Sequence, residues 1–299
     1  CRKFLIKKFM KFIKYIFLLV FLSEVVLRVV GFGNPILYTN NTENYFPKYN
    51  QNLTRYKKSK VIINNYGMRT SLSWSNYQDK YKIIFFGDST TFGGSYIDNE
   101  NLFSEKLCTT HIPKALCGNL GVNGYLIDNL YFRIKNTDKN LYDHIIIFVS
   151  SNMNAGKSNF HNFPFYEDYD YIFLRGIFEI INHFLFKFKI MDRYHSTSFN
   201  KKIDSDKKNH NQNQNLIKII NEISLNKKVS IFILPTLEEL SNSINKISVL
   251  NNLSFNNVEK FNLYNMLNEK KYHELYFNNG HLNKKGHDYL SKIIYDYIK

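Results

Sequence analysis

The sequence predicts an α/β domain with three layers, in which helices cover both faces of a parallel five-stranded sheet. The first observation is a series of five short apolar runs: YKIIFFG (81–87), KALCGNL (114–120), HIIIFVS (144–150), VSIFILP (229–235) and VEKFNLY (258–264). Uninterrupted runs of this length are typical of strands buried on both faces of a parallel sheet. The second is that helical spacing of apolar residues appears between runs, and alternating strands and helices form a layered sandwich.

Four segments have the apolar spacing of amphipathic helices: LFSEKLC (102–108), YLIDNLYFRI (125–134), NLIKIINEI (215–223) and the C-terminal stretch 284–298. In the last of these, Leu290, Ile293, Ile294 and Tyr297 form one stripe along the helix. A stripe of this kind faces the core of a globular domain. We therefore expect these segments to cover the faces of the sheet.

The region between the third and fourth runs is too long for a single crossover, and it predicts an insertion at about 155–215. Within it, YIFLRGIFEIINHFLFKFKI (171–190) predicts an apolar helix. The low-complexity stretch KKIDSDKKNHNQNQN (201–215) predicts a mobile loop. The insertion follows the carboxyl end of a strand, where loops build active sites. It is either a lid or flap over that site or a structural excursion.

Residues 1–30 predict a basic flank followed by a membrane anchor. The first 14 residues contain six basic side chains and no acidic one, and the apolar run YIFLLVFLSEVVLRVV (15–30) follows. The positive-inside rule then places the N-terminus in the cytoplasm. The predicted location is the inner (cytoplasmic) membrane, as a single-pass protein whose main domain is extracytoplasmic or periplasmic.

The apolar run is shorter than the roughly 20 residues of a clean membrane span. Lys11 and Lys14 can extend toward lipid headgroups, and Glu24 and Arg28 are spaced to pair on one helical face. No small-residue cleavage site follows, which favours an uncleaved anchor over a removed signal peptide. The alternative is an amphipathic helix on the membrane surface or packed on the domain.

Composition limits the partners of the domain. The formal net charge is +15, but no basic stripe accompanies a nucleic-acid-reading motif, so nucleic acid is not an expected partner. No clustered ligand spacing indicates a metal site, and no cofactor is expected. Cys108 and Cys117 fit either a disulfide in an oxidising compartment or two buried thiols. The polar residues 31–80 predict an extended linker, and the main domain is predicted over 81–299.

Four stretches place reactive side chains after predicted strands or before the last helix: GDSTTFGG (87–94), NLGVNGY (119–125), FVSSNMN (148–154) and NNGHLNKKGH (278–287). The carboxyl ends of parallel strands meet at one edge of a sheet, so these stretches are expected to converge there. A serine nucleophile requires this combination of a hydroxyl on a tight turn, an imidazole and oxyanion donors. In this order, the stretches resemble the blocks of the SGNH or GDSL hydrolase family over about residues 31–299, apart from the insertion.

The resemblance implies a flavodoxin-like sheet and a serine ester hydrolase or O-acyltransferase, with an ester of a small molecule or envelope glycan as substrate. Ser89 would be the nucleophile and His281 the base. The backbone N–H groups of Ser89 and Gly124 and the side chain of Asn152 would form the oxyanion hole. SEVVLRVVGFGNP (23–35) and INNYGMR (63–69) also resemble the leader of membrane-anchored bacterial members.

The sequence departs from the family pattern at the residue expected to orient the base. Asn278 stands where the family has an Asp, and Ser150 and Met153 replace a Gly and an Asp in the third block. Losing such an Asp costs about 10⁴ in rate in a serine protease triad. Three interpretations stay open: a Ser–His dyad with Asn278 as a weaker orienting group, a substitute carboxylate such as Glu274, or an inactive domain that binds glycan or a protein partner.

Other residues near these blocks are expected to be structural. Asp88 would accept backbone N–H groups in its turn. Gly93 and Gly94 would allow close packing. His287, within the last predicted helix, is expected to pack or cap rather than act as a base.

Overall fold

A computed structural model of the chain describes residues 2–30, 36–40, 44–55, 59–72, 74, 79–150, 153, 205–243, 255–268, 272–278 and 280–299. The predicted oxyanion residue Asn152 and the predicted helix at 171–190 lie outside the described residues. The predicted insertion at about 155–215 lies outside them as far as residue 204.

Helix α1 (Arg2–Val30) covers the predicted anchor, but a membrane span is not supported. Among the described parts of the chain, no helix combines the length and apolar character that crossing a membrane requires. The predicted pairing of Glu24 with Arg28 is confirmed, with Arg28 Nε donating to Glu24 Oε1 at 2.8 Å.

Two short hairpins follow where the sequence predicts an extended segment. Strand β1 (Tyr38–Asn40) pairs with β2 (Tyr45–Pro47), and β3 (Gln51–Thr54) pairs with β4 (Lys60–Ile63), both antiparallel. The β4 side chains Val61 and Ile63 are buried against Phe92. Strands of three or four residues are too short to show a clear alternation in sequence. The division into anchor, linker and main domain stays a prediction.

The main sheet has five parallel strands in the order β6-β5-β7-β8-β9. They are β5 (Tyr81–Phe86), β6 (Ala115–Asn119), β7 (His144–Ser150), β8 (Lys228–Leu234) and β9 (Glu259–Asn262). All five predicted strands are therefore confirmed. The chain goes from β5 outward to β6 and then returns to β7 on the other side, so β5 and β7 flank the switch point of the sheet.

The remaining helices are short, apart from α5 and α8. They are α2 (Ser89–Phe92), α3 (Phe103–Lys106) with a π-helical turn over Leu107–His111, α4 (Ile127–Lys135), α5 (Ser205–Ser224), α6 (Leu237–Ser241), α7 (Tyr264–Asn268) and α8 (Lys284–Ile298), with 3-10 turns at Asn99–Asn101, Lys139–Leu141 and Tyr272–Glu274. The four predicted helical segments are confirmed as helices, the first as α3 with its π-helical turn, although α5 begins ten residues before the segment predicted at 215–223.

The mobile loop predicted at 201–215 is wrong over 205–215, which belongs to α5. Leu216, Ile220 and Ile223 in the same helix are buried in the core. Burial of these side chains stabilises the C-terminal half of α5, and the polar residues 205–215 continue the same helix toward its N-terminus. Lys, Gln, Asn and His carry only modest penalties in a helix, so low complexity did not prevent it.

Both faces of the sheet are buried, as continuous apolar strands require. Alternate residues of β5 point to opposite faces. Ile84 and Phe86 pack in a core with α4 and α5. Ile83 and Phe85 pack in a second core with α3 and α8. The predicted three-layer α/β sandwich is thus the observed architecture.

A disulfide joins Cys108, in the π-helical turn after α3, to Cys117 in β6. Of the two alternatives left by the sequence, the structure has the bridge. The bridge links the π-helical turn that follows α3 to β6, the edge strand of the sheet. For nine residues of sequence separation, the chain-entropy description gives a stabilisation of about 2.5 kcal/mol.

Candidate active site

Ser89 begins helix α2 directly after the turn that ends β5. Asp88 caps this helix, and its Oδ1 accepts the backbone N–H of Thr90 at 2.8 Å. A capping carboxylate satisfies an N–H group that has no partner within the helix. The structural role expected of Asp88 is confirmed, and Ser89 is partly exposed at the carboxyl edge of the sheet.

The same carboxylate links the serine turn to the neighbouring strand. Ser150, the last residue of β7, donates its hydroxyl hydrogen bond to Asp88 Oδ2 at 2.8 Å. This bond crosses the switch point between β5 and β7, where open parallel sheets bind ligands. The hydroxyl of Ser150 therefore helps to fix the turn that contains Asp88 and Ser89.

Two glycines let the serine turn lie close to its neighbours. A Cβ on Gly87 would lie 2.0 Å from Thr91 Oγ1 and 2.8 Å from the carbonyl oxygen of Phe148. A Cβ on Gly121 would lie 2.5 Å from the backbone nitrogen of Phe92. Both positions therefore exclude any larger residue. The turn after β5 and the loop after β6 contact helix α2 directly.

The loop after β6 carries Gly124 to the same edge of the sheet. Its Val122 N–H donates to the Gly87 carbonyl at 3.1 Å, next to the serine turn. Gly124 has φ +76°, a conformation that glycine adopts without strain. The buried Asn119 fixes this loop, because its Nδ2 donates to the Thr91 carbonyl at 2.6 Å and its Oδ1 accepts the Gly121 N–H at 2.9 Å. Asn119 is the first residue of the stretch NLGVNGY (119–125), but nothing in the sequence indicates that its side chain is buried and hydrogen-bonded to this loop.

His281 lies on a short hairpin before α8. The hairpin is closed by a bridge between Tyr276 and Leu282 and by a hydrogen bond from the Phe277 N–H to the His281 carbonyl at 2.8 Å. Asn283 caps α8 through its Oδ1, which accepts the Gly286 N–H at 3.1 Å. This fixed segment leaves the His281 side chain partly exposed.

An aromatic contact connects the histidine hairpin to the segment that carries the serine. Tyr96, seven residues after Ser89, places its ring edge-to-face with that of His281, with 6.0 Å between centroids and 79° between planes. The same ring contacts Phe277, with centroids 5.1 Å apart. Such geometry is the favoured arrangement of aromatic pairs. Nothing in the sequence pointed to Tyr96, because the contact joins segments far apart in the chain.

The groups proposed to orient the imidazole are on the surface. Asn278 is exposed at the tip of the hairpin, and Glu274 is exposed with its Oε2 3.7 Å from Lys285 Nζ. Water and the lysine compete for an exposed carboxylate, which weakens any hold on an imidazole. The roles of Asn278 and Glu274, like those of Ser89, Gly124, Asn152 and His281, stay predictions.

His287 has the packing role expected of it. It is fully buried in α8, its Nδ1 accepts the Phe103 N–H at 3.3 Å, and its ring stacks on that of Phe103. Burial, with smaller contributions from Arg69 and Lys106, lowers the pKa of His287 to about 3. The side chain is therefore neutral at neutral pH, with Nδ1 serving as an acceptor.

This buried histidine should make folding sensitive to mild acid. Burial also lowers the pKa of His144 to about 3, whereas an unfolded histidine titrates near 6.5. Below that value the unfolded chain binds more protons, so stability falls as pH decreases, by about 1.3 kcal/mol per histidine between pH 7 and pH 5.5. Urea unfolding at both pH values should show the combined loss, and His287→Gln should remove about half of it. An equal loss in the variant would contradict this account.

Comparisons with known proteins give only weak likenesses. No family model and no curated protein matches the sequence. One similar solved structure is assigned to the G-D-S-L family of lipolytic proteins, from Desulfitobacterium hafniense DCB-2, with 13% identity, 73% of this chain and 99% of that chain covered, and a TM-score of 0.40. A family 3 carbohydrate esterase of Clostridium thermocellum has 15% identity, 73% and 95% coverage and a TM-score of 0.40. A third similar structure is LAE5, an alpha/beta hydrolase enzyme from the metagenome of Lake Arreo, Spain. Its sequence identity is 12%, the match covers 73% of this chain and 96% of that chain, and the TM-score is 0.40. The function proposed below therefore rests on the residues of this chain.

Proposed function

We propose that the protein is a serine ester hydrolase or O-acyltransferase that works through an acyl-enzyme. The observation that supports this most is the place of Ser89, which follows β5 at the switch point of a parallel sheet on a turn held by the Asp88–Ser150 hydrogen bond. Ligands of open α/β sheets bind in this crevice. A partly exposed hydroxyl on a rigid turn is what nucleophilic attack requires.

In the acylation step, the Ser89 oxygen attacks the ester carbonyl carbon while His281 accepts the hydroxyl proton. The carbonyl π electrons move to the oxygen, and the N–H groups of Ser89 and Gly124 with the Asn152 side chain stabilise that oxyanion. The tetrahedral intermediate then expels the alcohol, which takes the proton from the imidazolium. The serine is left as an ester of the substrate's acyl group.

In the second step, His281 accepts a proton from the incoming nucleophile as it attacks the acyl carbon. The tetrahedral intermediate then releases the Ser89 oxygen, which takes that proton back from the imidazolium. Water as this nucleophile gives a carboxylic acid and an esterase. A hydroxyl of a second substrate, such as a sugar of an envelope glycan, gives a transferred ester and an O-acyltransferase. Both outcomes need the same residues, and the acceptor decides between them.

The second candidate is a catalytically impaired domain that binds a glycan or a protein partner. The exposed positions of Asn278 and Glu274 favour it, because a weakly oriented imidazole is a poor base. Replacement of the orienting Asp by Asn costs about 10⁴ in a serine protease. The two candidates differ in whether a carboxylate at position 278 restores rate.

Asn278→Asp is expected to increase ester hydrolysis more than tenfold, because a charged acceptor stabilises the imidazolium that forms during attack. Initial rates on p-nitrophenyl acetate measure the effect. Asn226→Asp, an exposed substitution of the same type in the turn after α5, should leave the rate unchanged. An unchanged rate for Asn278→Asp would show that position 278 does not limit the base. Absence of Ser89-dependent hydrolysis in both proteins would favour the binding domain.

We also propose that the main domain lies outside the cytoplasm, and the disulfide between Cys108 and Cys117 supports this location. Structural disulfides persist in oxidising compartments and are rare in the cytosol. In protein quenched directly from cells with a maleimide, both cysteines should stay unmodified unless a reductant is added first. Modification of both without reduction would place the domain in a reducing compartment.

A further inference from the structure

Arg69 is a wholly buried arginine whose side chain holds one loop. Nη1 donates to the Phe92 carbonyl at 2.7 Å and to the Gly94 carbonyl, Nη2 donates to the Ile97 carbonyl, and Nε donates to Asn99 Oδ1 at 3.1 Å. All these acceptors lie between the last residue of helix α2 and the first residue of the following 3-10 turn, a segment that we call the post-serine loop (residues 92–99). One rigid guanidinium therefore fixes three carbonyls of the loop relative to one another.

The backbone of Arg69 is anchored independently of its side chain. Its N–H donates to the Asn119 carbonyl at 2.8 Å, at the end of β6, and it forms an antiparallel bridge with Ile63. The ring of Phe92 lies 4.8 Å from the guanidinium carbon. The arginine thus connects the sheet, the second hairpin and the post-serine loop.

Burying this charge is costly, so the hydrogen bonds of the guanidinium must offset that cost. Burial lowers the pKa of Arg69 to about 9, so the guanidinium stays charged at neutral pH. A buried charge is destabilising unless hydrogen bonds compensate it, and apolar residues of similar size often stabilise a core more. The guanidinium donates hydrogen bonds that hold three backbone carbonyls in place, which an apolar side chain cannot do.

The geometry of the loop depends on these bonds. Gly93 and Gly94 both have positive φ, +85° and +65°, so the chain reverses sharply after α2. In the sequence, Tyr96 lies between Gly94 and Ile97, whose carbonyls both accept hydrogen bonds from the guanidinium. The Tyr96 ring contacts that of His281. The arginine therefore holds the backbone on both sides of Tyr96, whose ring contacts one side of the imidazole.

We propose that Arg69 is a positioning residue for ester cleavage, which holds the post-serine loop so that Tyr96 keeps His281 directed toward Ser89. This inference rests on the proposed function of the same site. Arg69 does not touch the substrate in this account. Its effect is on the orientation of the base, and therefore on the rate of the chemical step rather than on substrate binding.

Arg69→Lys tests this, because an ammonium cannot reproduce the fork of the guanidinium. We expect kcat to fall at least tenfold on p-nitrophenyl acetate, with KM changed less than threefold. In Arg69→Ala, added methylguanidinium at millimolar concentration should restore part of kcat, and methylammonium should not.

The matched control is Arg133→Lys. Arg133 is also buried, donates to the Gly67 carbonyl at 3.3 Å and lies 4.9 Å from the Phe46 ring. We expect this variant to lose stability but to keep the kcat of the wild type per folded molecule. If Arg69→Lys behaves in the same way, Arg69 is only structural and the inference is wrong. If neither Arg69 variant folds, Tyr96→Ala must show the kcat loss, and wild-type kcat in Tyr96→Ala would overturn the inference.

The proposed function and this inference fail in different ways. The His281 imidazole proton resonances, followed by NMR, report on the ring whether or not the protein hydrolyses esters. They should shift in Arg69→Lys and not in Arg133→Lys. Unshifted resonances contradict the inference even in an active enzyme. A wild type without Ser89-dependent hydrolysis contradicts the proposed function, and with it the catalytic part of the inference.

Discussion

Ser89→Ala is expected to reduce ester turnover by about 100-fold or more, because it removes the atom that attacks the carbonyl. In a complete serine protease triad, losing the nucleophile costs about 2 × 10⁶ in kcat, whereas losing the orienting carboxylate alone costs about 3 × 10⁴. Because Asn278 stands where that carboxylate would be, we expect Ser89 to contribute the ratio of these two losses, a factor of roughly 10² in rate. Steady-state rates on p-nitrophenyl acetate at matched protein concentration measure the loss.

Thr90→Ala is the control for this experiment. It removes the neighbouring hydroxyl and leaves the backbone N–H that Asp88 accepts. We expect its turnover to equal that of the wild type. If Ser89→Ala hydrolyses the ester as fast as Thr90→Ala does, the observed hydrolysis comes from another residue, and Ser89 is not the nucleophile.

His281→Gln is expected to have an effect of similar size, about 100-fold, because nucleophile and base act as one unit. Glutamine keeps a polar side chain of comparable length but cannot accept a proton at neutral pH. The loss should appear in kcat, measured as steady-state rates on p-nitrophenyl acetate.

His287→Gln is the matched histidine control. His287 is six residues later, fully buried, and hydrogen-bonded to the Phe103 N–H. This variant should lose about half of the acid sensitivity of folding, since His144 still contributes its share, and should keep its turnover. Loss of turnover in His287→Gln together with normal turnover in His281→Gln would exchange the roles assigned to the two residues.

The sheet was the most predictable part of the fold. Strands such as β7 (His144–Ser150) are buried on both faces, so most of their residues are apolar, and this run is visible in the sequence without knowledge of the neighbouring strands. The hairpins of β1 to β4 were not predictable, because each strand has three or four residues and pairs only locally.

In the candidate site, residues that follow a strand end could be predicted from the sequence. Residues whose side chains contact a distant segment of the chain could not. The position of Ser89 after β5 follows from the apolar run and the Gly-Asp-Ser turn alone. Tyr96 and Arg69 were missed because their importance lies in contacts with His281 and with the carbonyls of the post-serine loop. Those contacts join segments that the fold brings together and the sequence keeps apart. Asn152 lies outside the described residues, so its oxyanion role stays a prediction.

The most direct test of the central claim is covalent labelling with a fluorophosphonate, which reacts with activated serine nucleophiles. Intact-mass spectrometry of the labelled wild type should show one adduct, and peptide mapping should place it on Ser89. Ser89→Ala should show no adduct, whereas Thr90→Ala should be labelled like the wild type. An unlabelled wild type, or an adduct that persists in Ser89→Ala, would contradict the assignment of Ser89 as an activated nucleophile.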